Sequence, residues 1–272
     1  MKTVVKTALV VGLCLALWPL RASAAPPPPK GKLVYSDDFS DPQKSGLEDN
    51  IEATDYSRGF HAPGFYHLKD VKPNDTRWEL FPNQAYGTFT LELDVFDNSD
   101  DFTGDVAQGV VVRAQDDDHL YAVLVDPRKG QYAIRKLDGK DTWSDLVGWK
   151  ASPLVKKQAE VNHLRVDGEG DTFTVYLNGE MLDSFKDAAY AKGQLGLITS
   201  NVDAAQPHMH FDNVNVYTTE AGTAEPAGSA ATGTLPNTGT ASRGSPLLLV
   251  GVALVLLSLG VWVRPRRHSG PV

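Results

Sequence analysis

Phe173-Thr174-Val175-Tyr176-Leu177-Asn178-Gly179-Glu180-Met181-Leu182-Asp183-Ser184-Phe185 reads as a β-hairpin. Phe173, Val175 and Leu177 alternate with Thr174 and Tyr176, and a period of two sends successive side chains to opposite faces of a strand. Asn178-Gly179 supplies the two central residues of a type I′ turn, which needs positive φ at both and whose twist matches the strands it joins. The same pattern recurs before the hairpin over Phe65–Val71, Thr88–Val95, Gly109–Ala114, Leu120–Asp126, Gln131–Leu137 and Glu160–Val166, and after it over Gln194–Thr199 and His210–Tyr217. Asp138-Gly139 and Asp167-Gly168 are further turn signals. Between the two terminal apolar segments no long amphipathic helix is legible, and Ala188–Lys192 has room for one short helical turn. Closely spaced strands without helices between them predict an all-β sandwich of two antiparallel sheets.

Alternation also assigns faces. Phe89, Leu91, Leu93 and Val95 share one side of their strand; Thr90, Glu92, Asp94 and Phe96 share the other. Val110 and Val112 oppose Val111 and Arg113 in the same way. A sheet with one apolar and one polar face packs the first on its partner and offers the second, as a concavity, to solvent or ligand.

The 272-residue chain carries 26 Lys and Arg against 34 Asp and Glu, a formal net charge of -8. That balance argues against nucleic acid, which calls for a basic footprint. It suits neutral glycans, cationic ligands or divalent cations. Cys14, the single cysteine, excludes a disulfide framework, and it lies in the apolar part of an export signal. Lys2 and Lys6 precede the apolar run Ala8–Leu20, and Ala22-Ser23-Ala24 is an A-x-A cleavage site, so residues 1–24 read as a signal peptide with a signal helix. A cysteine nucleophile or thiol chemistry in the exported protein is thereby excluded.

Residues 25–32 form a Pro-rich leader, 33–217 the β-sandwich, and 218–234 a disordered stalk of Ala, Gly, Thr, Glu and Pro that lacks the apolar surface to fold. Leu235-Pro236-Asn237-Thr238-Gly239, the apolar run 246–263 and the basic tail 264–272 then follow in order. This tripartite end resembles the LPxTG sorting signal of Gram-positive-type surface proteins. The resemblance implies a sortase partner that cuts after Thr238 and joins it to the cell envelope. An ordinary membrane anchor is the alternative, since the run is as long as the shortest single-pass transmembrane helix and its basic flank marks the cytoplasmic side. Under either reading the domain is extracellular, attached to cell wall or membrane through its C-terminus.

Several segments carry a second resemblance: Tyr35-Ser36-Asp37-Asp38-Phe39-Ser40-Asp41-Pro42, Phe89–Val95, Gly109–Arg113, Asp116–Tyr121, Leu164-Arg165-Val166, Phe173–Gly179, Gly193–Leu197 and Phe211-Asp212-Asn213-Val214. In this order they resemble the concanavalin A-like lectin/glucanase superfamily, and more narrowly its laminin-G-like and 3-keto-disaccharide hydrolase-like bacterial domains. The resemblance implies a jelly-roll sandwich; the fold hosts lectins, adhesins and glycosidases alike.

Glu92-Leu93-Asp94-Val95-Phe96-Asp97 resembles the E-x-D-x-x-E strand of laminarinase-type glucanases. Glu92 and Asp94 share a face at roughly 7 Å between Cα atoms. Asp97 falls on the other face and is one carbon shorter than the family's Glu. If the protein is an enzyme, Glu92, Asp94 and Arg113 are the catalytic candidates, in a retaining reaction that requires two carboxyls about 5–5.5 Å apart. As a binding face, Glu92, Asp94, Arg113 and Tyr121 project together, with Trp143, in a hairpin loop over residues 139–144, as a stacking ring. Trp78 and Trp149 are further rings of that kind.

Calcium takes oxygen ligands. Asp38 near the first strand and Asp212 on the last are the candidate pair for a structural calcium, because those ends meet when the sandwich closes; the runs Asp97–Asp101 and Asp116–Asp118 are the competing acidic loops, which turn chemistry alone also explains. His208 and His210 share a face, but no third ligand stands near them in sequence, so no zinc site is assigned. With no G-x-S-x-G elbow and no complete catalytic set, the chain reads as a cell-surface, non-catalytic glycan-recognition module, requiring no cofactor. A glycosidic-bond-cleaving enzyme and a structural protein or protein adhesin are the alternatives.

Overall fold

The structure is a computed structural model that describes residues 25–54, 56–70, 72–82, 84–204 and 207–220, and the backbone of 240–241. The signal peptide, the sorting motif Leu235–Gly239 and the apolar run 246–263 lie outside the described residues. Among those described, no helix is long and apolar enough to cross a membrane.

The elements are β1 (Lys32–Asp37), α1 (Pro42–Ser45), β2 (Ile51–Glu52), β3 (Tyr56–His61), β4 (Phe65–Asp70), β5 (Asp75–Leu80), β6 (Phe89–Asp97), β7 (Val106–Asp116) and β8 (His119–Asp126). They continue through β9 (Gln131–Asp138), β10 (Trp143–Ala151), β11 (Asn162–Glu169), β12 (Thr172–Leu177), β13 (Glu180–Lys186), β14 (Gln194–Asn201), β15 (Met209–Thr218) and the two-residue β16 (Thr240–Ala241). They form the jelly-roll sandwich of two antiparallel sheets. The larger sheet has nine strands, ordered β13-β12-β11-β6-β15-β4-β3-β2, with β1 also paired to β15; the smaller runs β10-β9-β8-β7-β14-β5-β16.

The β12–β13 hairpin forms as its sequence predicts. Leu177 pairs with Glu180 across a two-residue loop, and Asn178 and Gly179 have φ of 53° and 83°. Asp167-Gly168, in contrast, is not a turn. Both residues are in β11, and the chain reverses at Gly170 instead. Gly168 is required for another reason: a Cβ there would stand 2.5 Å from the ring of Phe89. Strands β1, β3, β5 and β10 escape the alternation pattern; β10 begins at Trp143, so that residue is not in a loop. Residues 188–192 are not helical, and Tyr190 is buried there.

The core lies between the sheets. Leu91, Leu93 and Val95 of β6, Leu164 and Val166 of β11, Phe173 and Val175 of β12, and Phe211 of β15 meet Val110, Val112, Tyr121, Val123, Ile134 and Leu197 of the smaller sheet. Each large apolar side chain so buried stabilises the fold by about 1.5–3 kcal/mol. The smaller sheet carries a second apolar cluster on its other face, with Trp78, Leu80, Val111, Leu120, Leu124 and Ile198 buried. Val110, Val111 and Val112 thus serve the two clusters in turn.

Both boundaries of the domain shift outward. Lys32 is the first residue of β1 and pairs with Thr218, so both belong to the sheet and not to leader or stalk. Upstream, the Arg165 Nη1 donates to the carbonyl of Pro27 at 2.5 Å. Downstream, the Glu220 carboxylate accepts from the amides of Gly87 and Thr88 at 3.0 and 2.6 Å.

Candidate functional site: the outer face of the larger sheet

Glu92, Asp94 and Phe96 point away from the core because the alternate positions of β6 fill it. Cross-strand register extends their row in both directions. Arg165 and His163 of β11 stand opposite Glu92 and Asp94, and Tyr176 of β12 stands opposite Arg165. On the other side, Asp212 and His210 of β15 oppose Asp94 and Phe96, and His67 of β4 opposes His210.

Asp94 is the hub of the polar half. His163 Nδ1 lies 2.9 Å from Oδ1, and the Asn213 side-chain amide donates to Oδ2 at 2.9 Å. Asn213 reaches this position from a break in the β15 register between Asp212 and Asn215, where its own φ is 52°; such bulges re-aim side chains. Burial alone would raise the Asp94 carboxyl, but the hydrogen bonds from His163 and Asn213 outweigh it and hold the group below the usual range. The Asp94 hydrogen bond raises His163 in return, against its partial burial. Glu92 Oε1 is 3.5 Å from Arg165 Nη1. Arg165 also grips Asp167 with Nε and Nη2, both at 2.8 Å, and lies over the Tyr176 ring.

Arg113, Tyr121 and Trp143 do not join Glu92 and Asp94. Arg113 follows strict alternation only up to Val112, where the β7–β8 register breaks, and its φ is 53°. The bulge turns it into the core, fully buried, where it donates to the carbonyls of Tyr190 and Gly87 and stacks on Phe173. Tyr121 is equally buried, donating to Asp187 Oδ1 at 2.6 Å and accepting from the Tyr190 amide. Trp143 is on the smaller sheet. There it lies against Arg135 and lines a shallow cleft with Asn74, Thr76, Asp141, Asn201 and Val202.

The third acid of the glucanase-like motif is engaged elsewhere. Asp97 faces inward, fully buried, with Oδ2 2.8 Å from Arg128 Nε and Oδ1 accepting from Ser99. Asp38 and Asp212 are close enough for their charges to repel. Burial raises Asp212, and the charges of Asp94, Asp38 and Asp37 add to it. Asp38 itself is exposed and accepts from the amide and hydroxyl of Ser40. Asp116 takes up turn chemistry, accepting from the Asp118 amide and pairing with His119.

Metal-ligand spacing arises elsewhere on the same face. His61 of β3, His67 of β4 and His208, just before β15, bring one ligand nitrogen each within 4.8 Å of one another. His210 adjoins them, with its Nε2 3.1 Å from Nε2 of His208. Ring centroids are 4.2 Å apart for His61–His67 and 5.1 Å for both His61–His208 and His67–His208. Burial, with the neighbouring imidazoles second, pushes His67 and His208 down to about 4 and His210 to about 3. Nδ1 of His67 and of His210 are buried without a hydrogen-bond partner, at a cost of roughly 1–3 kcal/mol each. Sequence spacing gave His208 and His210 as a pair. It missed His61 and His67, which meet them only because Ala62-Pro63-Gly64 reverses the chain between β3 and β4; the Pro-Gly pair was the available signal.

No family profile matches the chain, and no curated protein matches it. Solved structures do. The carbohydrate-binding module CBM66 from Bacillus subtilis is 20% identical over 64% of this chain and 92% of that one, with a TM-score of 0.44. A GlcNAcα1-4Gal-releasing endo-β-galactosidase from Clostridium perfringens is 15% identical over 71% of this chain and 64% of its own, with a TM-score of 0.49. A functionally unknown protein from Saccharomyces cerevisiae is 13% identical over 66% of this chain and 98% of its own, with a TM-score of 0.44.

Proposed function

We propose that the protein is a non-catalytic glycan-recognition module, held outside the cell by its C-terminus, that binds sugar on the outer face of the larger sheet. The observation that carries this reading is Asp94, a partly exposed carboxylate fixed by His163 and Asn213. Sugar hydroxyls are selected by acceptors and donors in set positions, and a carboxylate whose orientation is already determined loses little freedom on binding. Glu92 and Arg165 extend the array. Phe65 and Phe96, edge to face at 5.2 Å, supply apolar surface beside it.

Two carboxyls of the glucanase-like motif, Asp94 and Asp97, are poorly suited to hydrolysis. A glycosidase needs a carboxylic acid that is protonated near neutral pH. Asp94 is held low, and Asp97 is paired with Arg128 on the wrong side of the sheet. A glycan array probed with the chain is expected to give specific binding that falls about tenfold in Asp94→Asn, the loss of one charge-assisted hydrogen bond. Unchanged binding in that variant, or glycoside turnover abolished by Glu92→Gln, would overturn the reading. The anchoring part is tested by mass spectrometry of surface material, where a C-terminus at Thr238 is expected and an intact tail would count against it.

The Trp143 cleft favours a second location for the same function, since it sets an indole, a guanidinium and a carboxylate around one depression. Loss of binding in Trp143→Ala with Asp94→Asn unaffected would move the site there.

A further inference from the structure

We propose that His61, His67 and His208, with His210 as the adjoining fourth imidazole, form a binding site for a zinc-class divalent transition ion. The site stands independently of the glycan reading. Three nitrogens within 4.8 Å of one another are near the spacing of about 3.3 Å that tetrahedral zinc imposes at bonds of 2.0–2.1 Å. Side-chain rotation of a partly exposed ring such as His61 or His208 closes the difference. The donor set is all nitrogen, which selects zinc, copper or nickel and rejects calcium and magnesium, both of which take oxygen.

Two features separate this cluster from a patch of stacked rings. First, His67 is 6% and His210 3% exposed, yet Nδ1 of each has no partner. An aromatic hydrocarbon would fill the same space without burying an unmet nitrogen, so stacking alone gives no reason for imidazole. Second, the supporting contacts are of the kind that orient a ligand. Ser57 Oγ lies 3.3 Å from His67 Nε2, tying down one ring nitrogen and leaving the other free. The His208 backbone is fixed by its amide donating to Ser99 Oγ at 2.8 Å and its carbonyl accepting from Asn98 at 2.9 Å. His61 and His208 are only partly buried, which gives the ion a path in and leaves room for a water or an anionic ligand as a further donor.

The test is calorimetric titration of ZnCl2 into the full chain, made without a polyhistidine tag and stripped with chelator, alongside CaCl2 and the variants His61→Ala and His208→Ala. One zinc per chain is expected, with affinity falling on the order of 100-fold in each variant and no heat from calcium at this site. Both altered rings reach the surface, so circular dichroism of the variants is expected to match the parent. A cobalt titration of the unaltered chain gives a second readout, the visible absorption of a tetrahedral nitrogen-ligated centre. No saturable zinc binding, affinity in both variants equal to the parent's, or a purely octahedral cobalt spectrum would each overturn the proposal.

Discussion

The two sheets turn opposite kinds of surface away from the core. On the larger sheet the outward positions hold Glu92, Asp94, His163, Arg165 and the four histidines, with the Asp94 and His163 side chains 22% and 48% exposed. On the smaller sheet the outward positions hold Trp78, Val111, Leu120, Leu124 and Ile198, and Leu120 and Ile198 are wholly buried. Period-two alternation states that a strand has two faces. It does not state that the face away from the core is polar. The mixed strands β6, β11 and β15 show a clean alternation because one side is wet, whereas β7 and β8 read as nearly continuous apolar runs because both sides are dry.

The sharpest way to break this contrast is to change the charge on each outer face. Leu120→Asp is expected to unfold the domain or cost more than about 4 kcal/mol, since an unpaired carboxylate would be buried. Glu92→Gln, equally outward-facing, is expected to stay within about 0.5 kcal/mol. Urea denaturation measures both, and similar losses would erase the distinction. Next in size is Arg113→Ala. Its guanidinium serves two carbonyls and the Phe173 ring inside the core, so a loss of roughly 3 kcal/mol is expected with no loss of glycan selectivity. A stable Arg113→Ala protein with altered ligand choice would return that residue to the binding face. Tyr121→Phe removes the bonds to Asp187 and Tyr190 and is expected to cost about 1 kcal/mol, read as a lower midpoint at unchanged slope.

The smallest effect belongs to the Asp94–His163 pair. His163 is raised in the folded state, so its contribution is complete below its unfolded value of about 6.5 and is lost as pH climbs through the folded value. Asp94 is lowered, so its contribution is present above about 3.9 and is lost as pH falls through the folded value. The pair therefore adds a plateau between those limits, of a few tenths of a kcal/mol given its exposure. His163→Gln is expected to flatten the alkaline side of that plateau. A stability profile of His163→Gln identical to the parent's would show that the pair adds nothing.

The strands with one wet face, and the Asn178-Gly179 turn, were open to inspection in the sequence because a single local rule governs each. Trp143, Arg113 and Tyr121 were not, since their destinations depend on neighbours distant in sequence. Arg113 was misdirected by a bulge that no residue type announces, and β3 and β5 were hidden by Arg58, Arg77 and Glu79, charged side chains that the fold buries, Arg58 against Glu79 and Arg77 against Asp75. Half of the histidine cluster was visible as His208 and His210. The other half required knowing that β4 lies beside β15, a pairing across more than a hundred residues and thus outside any window of periodicity.

Lys32 and Thr218 are cross-strand partners, so the chain goes into the sandwich and comes out of it at one point. The same 32–218 unit spliced into an exposed loop of an unrelated host would span a gap of only one strand spacing, about 5 Å, and both proteins would keep their shape.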